Sequence, residues 1–118
     1  MNLVRITHNG RLAAILDLEN RRCTSDAGLS RVEGREVDAI AAGYLALHDE
    51  KKRVPTYEEA LCFAVCLMIP ANSLRENFGK PLTSFTPEEL AEICDVGTDF
   101  ARLRLRYAER EAEGSNKP

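Results

Sequence analysis

The fold class is decided near the N-terminus by the stretch Val4-Arg5-Ile6-Thr7-His8-Asn9-Gly10-Arg11-Leu12-Ala13-Ala14-Ile15-Leu16. Two runs that favour β-strands, Val4 to Thr7 and Leu12 to Leu16, flank the dipeptide Asn9-Gly10. Because asparagine and glycine both tolerate a positive φ, this dipeptide is typical of the tight turn of a β-hairpin. The segment from Glu19 to Gly34 is mostly polar and predicts a loop, with room for one more short strand.

The hydrophobic period becomes helical from Arg35 onward. Apolar positions recur at helical spacing at Val37, Ile40, Ala41, Tyr44, Leu45 and His48. A capping box at Thr56-x-x-Glu59 then begins a helix that is apolar nearly all round and stops at Pro70. Because no side of this helix is polar, we expect it to be the buried centre of the fold.

The clearest helix start in the chain lies further on. Thr86 has the position of an N-cap, Pro87 follows it at the first helical position, and Glu89 completes a capping box. We predict a helix to Cys94, a turn, and a last helix to Ala112. A hairpin followed by about four helices is an α+β fold.

Composition indicates one globular domain. The chain has 118 residues, of which 44% are hydrophobic and 30% are charged, and its net charge is -3. This balance excludes disorder for most of the chain. We place the domain at residues 1–112, with a helix-turn-helix-like close at 86–112 and a frayed tail at 113–118. The longest apolar run, Leu61 to Pro70, is too short for a membrane span, and we see no signal peptide, so we expect a cytoplasmic protein.

The cysteines leave two interpretations open. They are Cys23, Cys62, Cys66 and Cys94. Three of them fall in apolar helical patterns, where a reduced cysteine packs like a small hydrophobic residue. Cys62 and Cys66 are four residues apart on one helix and could instead supply half of a metal site. Packing in the core is the interpretation that we favour.

Two segments in the second half of the chain carry a family resemblance. The first reads Glu59-Ala60-Leu61-Cys62-Phe63-Ala64-Val65-Cys66-Leu67-Met68-Ile69-Pro70. The second reads Glu89-Leu90-Ala91-Glu92-Ile93-Cys94-Asp95-Val96 and continues at Arg102-Leu103-Arg104-Leu105. They resemble the Glu-Ala-x-x-Phe-Ala-x-x-Leu-Leu-Met-Pro segment and the Leu-Ala-x-x-Phe-Gly-Val-Ser … Arg-x-Arg-Leu close of the ImmA/IrrE-type metallopeptidases. The resemblance implies a zincin-like fold, in a family of phages, integrative elements and bacterial stress responses.

The resemblance also implies a helix with a His-Glu-x-x-His motif. In that motif two histidines one turn apart bind a zinc ion, and the glutamate between them is the general base. Aligned on Gly43, this chain has Ile40 and Tyr44 at the histidine positions and Ala41 at the glutamate position. All three chemical functions are missing. We therefore predict a degenerate member with no zinc, no other cofactor and no peptidase activity.

Two further residues match family positions. Glu59 stands where we place the third zinc ligand of the family, which makes it a candidate for a vestigial ligand. Without the two histidines it cannot hold zinc, and its capping-box role explains it fully. His48 matches a histidine downstream of the metal pair, and we expect a structural role for it. We predict no other catalytic constellation.

The leading functional hypothesis is a catalytically inactive protein that acts by binding. Active members of the family, as the resemblance implies, cut or inactivate a helix-turn-helix repressor of a mobile element. A member without metal ligands could keep the surface that docks the repressor. The expected partner is therefore a helix-turn-helix repressor or a related regulator of a phage or mobile element, and we expect no membrane partner.

Two alternatives stay open. The last two helices have the length and spacing of a helix-turn-helix unit, and Arg102, Arg106 and Arg110 line one face of the last helix. DNA binding through these arginines is the second hypothesis. The competing interpretation is that they lie on a solvent-exposed face and form ion pairs with nearby glutamates. The third hypothesis is a zinc metallopeptidase with a non-standard site. Its ligands would be His48, Glu59 and the cysteine pair Cys62 and Cys66.

Overall fold

The computed structural model describes residues 3–115, with side chains described for residues 3–110. Its elements are β1 (Leu3–His8), β2 (Arg11–Asp17), β3 (Arg22–Ser25), α1 (Arg31–Lys51), α2 (Tyr57–Met68), α3 (Ala71–Phe78), α4 (Pro87–Cys94) and α5 (Thr98–Ser115). A short 3₁₀ turn at Leu82–Ser84 precedes α4. This order confirms the α+β fold class. The chain divides into two compact units, Met1–Ala64 and Val65–Pro118, and the boundary falls within α2.

The three strands form one antiparallel sheet in the order β1-β2-β3. The predicted hairpin is confirmed, since Asn9 and Gly10 at its turn have φ values of 54° and 79°. The short third strand is present as β3. Strand β1 alternates between more buried and exposed side chains, and Ile6 of β1 and Leu16 of β2 are completely buried.

A β-bulge in β2 is a feature that the sequence analysis did not foresee. Ile6 pairs with Ala14 and Thr7 pairs with Leu12, so Ala13 is an extra residue in β2. Such an extra residue shifts the alternation of faces by one position. As a result, Leu12 and Ile15 are both exposed, although residues at i and i+3 of a regular strand lie on opposite faces.

Helix α1 begins earlier than the pattern of apolar residues predicted. Ser30 is the N-cap, its side chain accepts a hydrogen bond from the Glu33 N–H, and the Glu33 carboxylate accepts one from the Ser30 N–H. This capping box stabilises the first turn. The predicted loop up to Gly34 is therefore wrong, because α1 already includes that residue. The apolar stripe itself is confirmed: its buried members are Val37, Ile40, Ala41 and Tyr44.

Helix α2 is less buried than expected. It begins after Thr56, as predicted, and Ala60, Ala64 and Val65 are completely buried. However, 57% of the surface of Leu67 is exposed. The expectation of a fully buried helix is therefore wrong, because burial depends on what packs against each side and not on the helix's own composition.

The second unit contains one helix that was not predicted. Helix α3 lies between Pro70, its N-cap, and Gly79, which ends it with a φ of 69°. The capping box of α4 at Thr86 and Glu89 is confirmed. Helix α5 extends to Ser115, past the predicted end at residue 112, so the first part of the predicted tail is helical. Residues 116–118 of that tail lie outside the described residues.

Candidate functional site

The positions that would carry the metal motif lie in the interior of the first unit. Ile40 is completely buried, Ala41 is 5% exposed and Tyr44 is 3% exposed. Burial also raises the pKa of the Tyr44 phenol, and the nearby Tyr57 phenol adds to this shift. A side chain that is packed in this way contributes to the core. Ile40 and Ala41 have no side-chain atom that can bind a metal or accept a proton, and Tyr44 offers a buried phenol in place of an imidazole.

Gly43 has a structural explanation of its own. A Cβ atom at this position would lie 2.7 Å from the carbonyl oxygen of Ala60 and 3.2 Å from its Cα atom. Both of those atoms belong to the backbone of α2 and cannot rotate away. Gly43 is therefore the residue that lets α1 and the first part of α2 approach each other closely.

The carboxylate of Glu59 accepts hydrogen bonds from two basic side chains and from the backbone at the N-terminus of α2. Its carboxylate accepts two hydrogen bonds from the Arg53 guanidinium and one from the Lys51 ammonium, all at 2.9 Å. It also accepts the Thr56 N–H at 2.9 Å, which completes the predicted capping box. The Arg53 hydrogen bonds, followed by those from Thr56 and Lys51, hold the pKa of Glu59 far below its ordinary value. The carboxylate fastens the connection between α1 and α2.

A buried histidine–carboxylate pair is the polar feature of the first unit that sequence reasoning missed. The Nε2 atom of His8, at the end of β1, lies 2.8 Å from Oε1 of Glu36 in α1. His8 is 7% exposed and Glu36 is 4% exposed. Beside them, the side-chain amide of Asn9 donates a hydrogen bond of 3.4 Å to Glu33. The hairpin turn is thus tied to the first turns of α1.

Tyr57, the first residue of α2, lies near enough to Glu36 for their charges to interact. Burial raises the pKa of the Tyr57 phenol, and the charge of Glu36 raises it further. One signal could have located Glu36, because it precedes Ile40 and Tyr44 at four-residue steps along α1 and so belongs to the same buried stripe. Nothing in the sequence pairs it with His8, which is twenty-eight positions away.

The residues weighed for metal chemistry do not form a site within the described part of the chain. Among residues 3–110, no group of three or more histidine, cysteine, aspartate or glutamate side chains is placed to hold a metal ion. His48 is half-buried in the last turn of α1, where its carbonyl oxygen accepts the Lys52 N–H. Cys62 and Cys66 are half-buried and free of disulfides.

The arginines of α5 differ in their surroundings. Arg102 donates to Asp99 at 2.9 Å and lies 3.9 Å from Glu88. Arg110 lies over the ring of Tyr107, and Arg106 is exposed. Within residues 3–110, where side chains are described, no carboxylate pairs with Arg106 or Arg110.

Arg104 points to the other side of α5 and is buried. Its Nε donates to the Ile69 carbonyl oxygen at 3.0 Å, at the end of α2. A cation at the C-terminal end of a helix interacts favourably with the helix dipole. Arg104 therefore contributes to packing inside the second unit and not to the exposed arginine face.

Comparison with known proteins gives no match: no family model, no curated protein and no solved structure matches this chain. In the described residues, no helix is long and apolar enough to cross a membrane.

Proposed function

We propose that this protein acts by binding a regulatory protein, as a non-catalytic relative of the ImmA/IrrE-type metallopeptidases. The observation that carries the proposal is the packing of α1. The positions at which the resemblance would require two zinc ligands and a general base hold Ile40, Tyr44 and Ala41, all of them buried. A hydrophobic interior at these positions supports a protein that functions through binding at its surface and not through catalysis.

The surroundings of Glu59 support the same conclusion. A carboxylate that binds zinc offers a lone pair of one oxygen to the metal, while surrounding residues hold its other oxygen by hydrogen bonds. Here Arg53, Lys51 and the Thr56 N–H engage both oxygens of the carboxylate. Glu59 therefore has a complete structural role without a metal.

The proposed partner is a helix-turn-helix repressor of a phage or mobile element. This choice follows from the resemblance, in which active members act on such repressors. A non-catalytic relative that keeps the docking surface would compete for the repressor or mask it. Such a protein is an antagonist or a competitor, and it leaves the repressor chain intact.

A pull-down with the tagged full chain tests this proposal. We expect mass spectrometry of a host lysate to recover a helix-turn-helix repressor both with and without nuclease. The isolated repressor should then bind with unchanged affinity in the presence of a metal chelator, and it should stay uncut on a gel. Cleavage that the chelator abolishes would contradict the proposal and favour the zinc peptidase with a non-standard site.

DNA binding through α4 and α5 is the second candidate. It is favoured by the short turn at Asp95, in the left-handed conformation, between the two helices, and by the exposed Arg106. Against it, Asp99 in the first turn of α5 already engages Arg102. If the second candidate is right, all partners disappear on nuclease treatment. Affinity for a labelled duplex then falls steeply with salt, and Arg106→Gln reduces the salt slope by about 1.

A further inference from the structure

The outer side of the sheet in the first unit exposes three large apolar side chains next to an arginine. We define the outer sheet face by Leu3, Arg5, Leu12 and Ile15. The three apolar side chains are 52%, 49% and 41% exposed, in that order along the chain. A large apolar side chain that stays exposed is ordinary when it is single, whereas several on one face indicate an interaction surface.

The strand register brings these residues together. Arg5 is directly opposite Ile15, and Thr7 is directly opposite Leu12. Side chains of directly opposed residues are neighbours on one face of a sheet. The bulge at Ala13 places both Leu12 and Ile15 on this face, since regular alternation would have put them on opposite faces.

A hollow of about 290 Å³ opens beside the same residues. Leu12 and Ile15 line it together with Thr24 of β3, which is directly opposite Ile15. A depression of this size accepts one or two side chains of a partner. Bound side chains that fill such depressions dominate the energy of many interfaces.

The outer side of the sheet also carries Asp17, directly opposite Leu3, and Arg22, directly opposite Asp17; the Asp17 carboxylate accepts a hydrogen bond from Asn20. Arg5 is the charged residue among the four that define the face. Within residues 3–110, no carboxylate pairs with Arg5, whereas Arg11 pairs with Asp26 and Arg21 with Asp49. An arginine surrounded by apolar side chains can lay its aliphatic stem on them and present its guanidinium to a carboxylate in two parallel hydrogen bonds. The unpaired charge therefore specifies a partner with a carboxylate.

We propose that the outer sheet face docks an amphipathic segment of the partner protein that carries a carboxylate between apolar residues. The carboxylate binds Arg5, and the apolar side chains cover Leu3, Leu12 and Ile15 and enter the hollow. This inference rests on the proposed function, because it names the surface and the partner chemistry for the binding proposed above.

Photocross-linking in host cells tests the location. The photoreactive residue p-benzoylphenylalanine is placed in the full chain at Ile15 or, as a matched control, at Leu67, which is exposed and apolar but lies outside this face. We expect position 15 to cross-link to a partner peptide with an aspartate or glutamate between apolar residues. Position 67 should give no such product. A cross-link from position 15 to a second copy of this chain, or to a peptide without a carboxylate, would overturn the proposal.

Charge reversal tests the chemistry. Against the purified partner, Arg5→Glu should weaken binding by about tenfold or more, whereas Arg75→Glu, a control at an exposed arginine outside this face, should change it by less than about twofold. Changing the cross-linked carboxylate of the partner to lysine should restore binding to Arg5→Glu. Circular dichroism and thermal unfolding should confirm that each variant is folded.

The two proposals fail in different ways. If the wild-type chain recovers no protein partner, the proposed function is wrong. If the partner is recovered but Arg5→Glu binds it as tightly as the wild type does, only the outer sheet face is wrong.

Discussion

Two carboxylates of the first unit are held by basic partners in opposite surroundings. Glu36 lies in the interior, where His8 contacts it at 2.8 Å and 4% of its surface is exposed. Glu59 lies nearer the surface, with 26% of its side chain exposed, and Arg53, Lys51 and the Thr56 N–H surround it. The comparison teaches that the number of contacts is a poor guide to stability. Removing a partner in the interior leaves a polar group that water cannot reach, whereas water replaces a lost partner at the surface.

The largest effect should come from breaking the interior pair. Glu36→Leu leaves the imidazole of His8 without its carboxylate inside the unit, and we expect the free energy of unfolding to fall by about 3 kcal/mol. Urea unfolding followed by circular dichroism measures the change. The double variant His8→Leu/Glu36→Leu is the control, and it should recover part of the loss because neither member of the pair then remains in the interior without the other. A single variant that loses less than about 1 kcal/mol would contradict this account.

The next largest effect should come from the close contact between Gly43 of α1 and the backbone of α2. Gly43→Ala places a methyl group against the Ala60 backbone at 2.7 Å, and we expect a loss of about 1–3 kcal/mol. Gly34→Ala is the matched control on the same helix, because nothing lies within 4 Å of its added Cβ. That substitution should instead stabilise α1 by up to about 1 kcal/mol. Equal effects at the two positions in thermal unfolding would show that the helices do not approach as described.

A smaller effect should appear at the surface carboxylate, and only in acid. Glu59 has its pKa held below its ordinary value of 4.5 in the folded chain. Its contribution to stability is therefore fully present above pH 4.5 and is lost as the pH falls toward the folded pKa. We expect Glu59→Gln to be less stable than wild type at pH 7 and to lose less stability between pH 4.5 and 3. Thermal midpoints across this range test the expectation, with the neighbouring Glu58→Gln as the control.

The smallest effect should come from a surface ion pair that caps no helix. Arg102 donates to Asp99, and its side chain is 52% exposed. We expect Arg102→Ala to change the free energy of unfolding by less than about 0.5 kcal/mol. Asp99→Ala is the matched control from the other partner. A loss of more than about 1 kcal/mol in urea unfolding would show that this pair is not an ordinary surface contact.

Local signals predicted much of the fold. The Asn9-Gly10 turn and the capping boxes at Thr56 and Thr86 each act within a few residues, and the structure confirms all three. The same kind of signal exists at Ser30-x-x-Glu33, but the apolar period begins later and predicts a helix only from Arg35, whereas α1 begins at Arg31. Helix α3 was missed because its apolar pattern is short, although Pro70 and Gly79 bracket it.

The residues of the candidate site also separate into those that local sequence signals predicted and those that they did not. The absence of histidine and glutamate from positions 40, 41 and 44 could be read directly, because it depends only on residue type. The engagement of Glu59 by its own capping box was also local. Its pairing with Arg53 and Lys51 required the chain to turn between α1 and α2, and sequence reasoning did not find it.

What the sequence by itself determined are the features that depend on near neighbours: the α+β order, the hairpin turn and the starts of α2 and α4. Only the tertiary structure decided which polar residues meet and which apolar ones stay exposed. His8 and Glu36 meet because the sheet and α1 pack on each other, and Leu12 joins Ile15 on one face because of a single extra residue in β2. These outcomes depend on contacts between distant parts of the chain, and short-range preferences carry no information about such contacts.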